Sequence, residues 1–172
     1  MRLSTKLLVN LSLFIALAVV FRRILSISTP LGDINFGGLP IILAGLIFGP
    51  ISGGIVGAVS DIIGYPLSVH GPYFPHFTLT SAIAGMIPAL IYNSFKRDKQ
   101  KPSFPLLMIS IFIGQFITSA LMVSYFKQLL LNIPFKFSFI ERTLALIIRA
   151  PIYAFLSVYV IKGYNRYKGT SS

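Results

Sequence analysis

Arg142, Arg149 and Tyr153 are separated by seven and four residues, so a helix running through them carries all three on one face. Their surroundings, TLALIIRAPIYAF, are almost wholly apolar. An arginine in the middle of a membrane helix costs roughly 2.5–3.5 kcal/mol on insertion scales, so this stripe should face a cavity or an opposite charge rather than lipid. Asp61 is the acid that interrupts another apolar run, and Gly53, Gly57, Asp61 and Tyr65 recur at four-residue intervals along one helical face. The glycines suit close helix packing. For the charges two readings stand side by side. Arg149 pairs with Asp61 as a structural ion pair, or the arginine holds a ligand anion while the carboxylate accepts a ligand's N–H groups. Arg22 and Arg23 close the first apolar run, where a long basic side chain can reach toward the interface.

The stretch GYPLSVHGPYFPHF, Gly64 to Phe77, gathers both histidines, His70 and His76, with three prolines, two tyrosines and two phenylalanines. It is either a loop with its rings at the headgroups or a lid over an aromatic ligand, in which case Phe74 and His70 would stack on it. Thr78, Ser81, Gln115, Thr118 and Ser119 add neutral polar groups, each able to bond its own helix backbone instead. Catalytic signatures are missing: the chain has no H-E-x-x-H, G-x-S-x-G or Walker-type phosphate loop. Two histidines without a carboxylate pair make a poor metal site, and the absence of cysteine removes thiolate chemistry. The reading is a non-enzyme with no cofactor and no metal, whose transport energy comes from a partner or a gradient.

The elements that hold these residues are membrane helices. Of 172 residues 55% are hydrophobic and only 11% charged, too few charges for a soluble domain. The net charge of +11 does not signal nucleic acid, because the basic residues lie at the ends of apolar segments. The segment after Arg2 and Lys6 imitates a signal peptide but ends in Phe21-Arg22-Arg23, and it is read as a retained first helix. Breaks at Pro and Gly divide the chain into one six-helix, all-α membrane domain over residues 1–172, with helices at about 7–25, 34–49, 51–65, 77–95, 104–131 and 141–162. NIPFKFSF, Asn132 to Phe139, is read as a second aromatic loop. An even number of helices puts both termini on one side. That side and the loop between helices four and five hold nine of the fifteen Lys and Arg residues, which assigns it to the cytoplasm. The opposite half then combines cations, rings and one acid, a setting for a flat, anionic, ring-bearing ligand.

The run DINFGGLPIILAGLIFGPISGGIVGAVSDIIGYPL, followed by GPYFPHFTLTSAIAGMIPALIY, resembles the folate-specific S components (FolT) of energy-coupling factor (ECF) vitamin transporters over roughly Leu31 to Tyr92. The resemblance implies a high-affinity folate-binding subunit in the bacterial cytoplasmic membrane, with its pocket near the outer surface. The loops after helices one, three and five help to close that pocket. It implies partners as well: a transmembrane coupling subunit bearing two cytosolic ATPases, docked through small residues on helix one, here Ser12 and Ala16. The expected ligand set is Arg22, Asp61, Tyr65, His70, Phe74, Arg142, Arg149 and Tyr153, for folate or reduced folates. The rival readings are an S component for riboflavin or pantothenate, and a stand-alone gradient-driven carrier.

Overall fold

The computed structural model describes residues 5–23, 26–29, 32–67, 73–95 and 102–170. Six helices build the bundle: α1 (Thr5–Arg23), α2 (Gly38–Phe48), α3 (Pro50–Gly64), α4 (Pro75–Phe95), α5 (Phe104–Leu131) and α6 (Phe135–Thr170). Between α1 and α2 lies an antiparallel pair of strands, β1 (Ser26–Thr29) and β2 (Gly32–Asn35), with Ser26 opposite Asn35 and Thr29 opposite Gly32. The sequence marks only a break there, because two four-residue strands of mostly small and polar residues carry too little alternation to be read. The second helix consequently begins at Gly38 and not at Ile34. His70 and the rest of residues 68–72, together with the basic segment 96–101, lie outside the described residues.

α2 sits at the centre. Every residue from Leu39 to Leu46 is buried, the mark of a helix that is apolar all round because protein surrounds it. Eleven residues rise only about 16 Å, so α2 cannot cross a bilayer alone and depends on its neighbours. One core cluster joins Leu39, Ile42, Leu43 and Leu46 to Tyr92, Leu107, Ile111, Tyr153 and Ala154. α1, α5 and α6 are long and apolar enough to span a membrane. Their outward faces are apolar as well: Leu13 and Val20 on α1 and Leu144, Ile147, Ile148 and Phe155 on α6 are exposed, which suits contact with lipid.

Close approach of backbones sets the interior. A Cβ at Gly45 or Gly53 would run into the carbonyl of Gly85, and one at Gly57 into the carbonyl of Ser81. The glycine face of α3 is therefore a packing face against α4. The turn between α2 and α3 needs glycine for a different reason, since Gly49 has φ 101°, a conformation that a Cβ strains.

The last helix differs most from expectation. α6 begins at Phe135 rather than Glu141, so Phe135 to Phe139 are helical and the turn shrinks to the residues around Asn132, which takes φ 54°. The interleaved rings and polar residues of that segment, with Phe135 and Phe139 stacked at 5.5 Å, obscure its period. α6 also runs on through the polar tail, and its 36 residues span about 54 Å, well past the ~30 Å hydrocarbon core.

Gly85→Ala should destabilise the protein in detergent by about 1–3 kcal/mol through overpacking. Gly163→Ala meets nothing within 4 Å and should be neutral or stabilising by about 0.4–1 kcal/mol. Thermal unfolding of the two variants beside the parent checks both signs.

Candidate functional site

The chain alternates direction through the bundle, so the end of α1, the start of α2, the end of α3, the start of α4, the end of α5 and the start of α6 meet at one pole. A cavity of about 390 Å³ opens there, within the usual range for small-molecule pockets. It is lined by Gly38 and Ile41 of α2, Gln115 and Thr118 of α5, and Arg149 and Tyr153 of α6. Arg22, Asp61, Phe77, Ser81, Lys127 and Leu131 line it as well. Four cations, Arg22, Lys127, Arg142 and Arg149, line it with one acid, Asp61.

Each functional side chain arrives by helical phase. On α6 the residues Ala145, Leu146, Arg149, Ala150, Tyr153 and Ala154 are buried, while Ile147, Ile148 and Phe155 face outward. The arginine stripe is the inward face, as its spacing requires. On α5, seven residues of π-helix, Phe116–Met122, interrupt the α-helix. They place Thr118 and Ser119 on the cavity wall, and such π segments occur often at functional sites. On α2, Gly37 and Gly38 bring the chain close: a Cβ at Gly37 would lie 2.8 Å from Arg22 Cβ, and one at Gly38 would lie 3.4 Å from the Tyr153 ring.

Asp61 pairs with Arg22, not with Arg149. Arg22 Nη1 donates to Asp61 Oδ1 at 2.5 Å, Ser81 Oγ donates to the same oxygen at 3.3 Å, and Thr78 Oγ1 donates to Oδ2 at 2.7 Å. Gly37 leaves room for this pairing, because a side chain there would run into Arg22 Cβ. Arg22 is therefore drawn inward to an anion, whereas its position at a helix end had allowed it to reach for the interface. Tyr73 OH lies 2.6 Å from Thr78 Oγ1. Because the Thr78 proton goes to Asp61, the phenol donates to Thr78. A continuous chain, Arg22–Asp61–Thr78–Tyr73, thus ties α1, α3 and α4 to the segment preceding α4.

The remaining cations are held differently. Arg149 is 9% exposed and its Nε donates to Ala145 O at 3.3 Å. Arg142 Nη1 reaches Ser119 Oγ at 3.4 Å, and its buried Nε finds no partner among the described residues. Lys127 Nζ stands 3.8 Å from Glu141 Oε2.

Of the residues singled out in the sequence, Arg22, Asp61, Arg142, Arg149 and Tyr153 converge on the cavity. Tyr65 and Phe74 do not line it. Tyr65 packs against Tyr73 at 5.1 Å and Phe74 against the edge of Phe77 at 6.2 Å, and Phe77 is the ring that lines the cavity. His70 lies outside the described residues. Sequence reasoning missed Phe77, Thr80 and the Lys127–Glu141 pair. The signal for Lys127 was its spacing of eight from Ser119 on one helix. Among the described residues no group of three His, Asp or Glu side chains could hold a metal.

The family described as the ECF-type riboflavin transporter S component matches residues 2–166. The chain belongs to the S components of ECF transporters. S components are membrane transport proteins and not enzymes. A curated relative, the folate transporter FolT of Clostridium novyi (strain NT), is 37% identical over 147 residues, covering 86% of this chain and 83% of its own length. A crystal structure of FolT bound with folic acid superposes on this S component with a TM-score of 0.76 at 27% identity, covering 94% of this chain and 98% of the other. The structure of the S component of a bacterial ECF transporter shares the fold, with a TM-score of 0.57 at 21% identity, covering 95% of each chain.

Double-mutant cycles on the unliganded protein separate the two pairings. Arg22→Gln and Asp61→Asn should each cost about 1.5–3 kcal/mol, the worth of a hydrogen bond to a charged group. Their combination should fall short of the sum by more than ~0.5 kcal/mol, whereas Arg149→Gln and Asp61→Asn should add within about 0.5 kcal/mol.

Proposed function

We propose that this S component binds folate or a reduced folate in the cavity at the outer pole of the bundle and delivers it to ECF partner subunits for uptake. The observation that carries the reading is the cavity's excess of cations over acids, set among ring-bearing and hydrogen-bonding groups. A folate has a flat pterin for Phe77 and Tyr153 and two tail carboxylates for arginines. The FolT relative and the FolT–folic acid structure support the same ligand. Riboflavin, named in the description of the matching family, carries no carboxylate and would leave the cavity cations without an anion.

In this reading Arg22, Asp61, Arg142, Arg149 and Tyr153 form the ligand set. Tyr65 and Phe74 stand behind it. Both termini are cytoplasmic, and the nine Lys and Arg residues on that side support this orientation. The chain carries no nucleotide motif, so ATP is hydrolysed by two ATPase subunits held on a transmembrane coupling subunit. That subunit docks on the lipid-facing groove of α1 and α3, where Ser12, Ile15, Ala16, Val19, Val20, Val59 and Ile63 form an apolar strip. Ser12 and Ala16 are exposed on it, and the Ser12 hydroxyl is bonded to Leu8 O at 3.0 Å, which masks its polarity.

Isothermal titration of the purified protein should show folic acid binding without ATP and no binding of riboflavin; heat with riboflavin alone would overturn the ligand assignment. In the same assay Phe77→Leu should cost about 1–3 kcal/mol of folate affinity, by analogy with base stacking on an aromatic ring. Phe74→Leu, one ring further out, should change affinity by less than about 0.5 kcal/mol.

A further inference from the structure

The arginines of the cavity are not equivalent, and their existing bonds rank them. Arg22 is committed to Asp61. Arg149 spends its Nε on the backbone of its own helix. Arg142 alone presents a buried Nε with no acceptor among the described residues, while its Nη1 makes one long bond to a neutral hydroxyl at 3.4 Å. That leaves the Nε–Nη2 edge of the guanidinium. This edge offers two parallel N–H groups at the spacing of a carboxylate's two oxygens. A buried donor without an acceptor is unfavourable until something supplies one, and a buried guanidinium is best supplied by an anion. The neighbouring acid is not available, because Glu141 points to Lys127.

We infer that Arg142 is the specificity-determining residue for a ligand carboxylate, gripping it side-on through Nε and Nη2. Ser119, on the π-helical segment of α5, is the positioning residue that holds Nη1 and turns this edge to the cavity. The assignment rests on the folate reading, and there the carboxylate is one of the two on the glutamate tail. It divides the cavity by chemistry: Arg142 reads the anion, while Arg149, Tyr153, Gln115 and Phe77 contact the uncharged remainder. Ser119→Ala should then weaken the same interaction without removing the charge.

The experiment compares folic acid with its α,γ-diamide, in which both tail carboxylates are uncharged carboxamides of nearly the same shape. Titrations use the parent, Arg142→Gln, Arg142→Lys, Ser119→Ala and Arg149→Gln, with the melting temperature of each unliganded variant recorded alongside. The parent should bind folic acid about ten- to a hundredfold more tightly than the diamide. Arg142→Gln should abolish that ratio by lowering folic acid affinity alone. Arg142→Lys, which keeps the charge but not the fork, should restore part of it. Ser119→Ala should narrow the ratio, and Arg149→Gln should weaken both ligands together. An Arg142→Gln protein that keeps the parent's ratio overturns the assignment, as does one that loses both ligands equally with an unchanged melting temperature. A parent protein that binds neither compound overturns the folate reading and this inference with it. A parent that binds both equally overturns the inference and leaves the folate reading standing.

Discussion

A charge inside an apolar bundle has to be paired, and the clasp of Arg22 on Asp61 satisfies that demand where three helices end. The carboxylate accepts hydrogen bonds from α1 and, twice, from α4, while it is itself carried by α3. Taking an unpaired carboxylate out of water is costly enough that these three helix ends are held in one arrangement. The bond pulls the end of α1 over the start of α2, and Gly37 makes room for it. The cavity is the space left between this clasp and the arginine stripe of α6.

Packing below the clasp serves the same geometry. Glycines of α2, α3 and α4 bring backbones to contact distance, and α2 is buried at the axis. α3 and α4 therefore meet tightly along Gly53 and Gly57, and Asp61, Phe77 and Ser81 line the opening at the pole. α5 adjusts by its π-helical segment, whose residues touch the cavity at Thr118 and Ser119. The long α6 then offers one face to lipid and the other to the site. Outside, the apolar surface is a lipid-facing surface; inside, polarity is concentrated at one end. A binding subunit needs that asymmetry, because the ligand enters from water and must leave its hydration for fixed donors and rings.

Much of this was legible from residue types and period. The stripe Arg142, Arg149 and Tyr153 needed only helical spacing and the cost of an arginine in lipid. Asp61 was visible as an acid in an apolar run, and Gly53 and Gly57 as packing positions. Its partner was not visible, since Arg22 and Arg149 both have the right sign and a contact spanning 39 residues is decided by how helices dock. The start of α6 was hidden because the rings of Phe135, Phe137 and Phe139 imitate an interfacial loop. The π segment leaves no trace in a seven-residue window, and with it the place of Ser119 on the cavity wall was hidden. Phe74 was singled out because rings in a proline-rich loop look like a lid, whereas Phe77, on the first turn of α4, lines the cavity.

The most direct measurement is an experimental structure of this protein with folic acid bound. The expected result is the ligand in the cavity between the Arg22–Asp61 clasp and Arg149 and Tyr153 of α6, with a tail carboxylate on the Nε–Nη2 edge of Arg142 and the Arg22–Asp61 contact retained. Folate lodged elsewhere, or lodged there only after Asp61 has left Arg22, would contradict it.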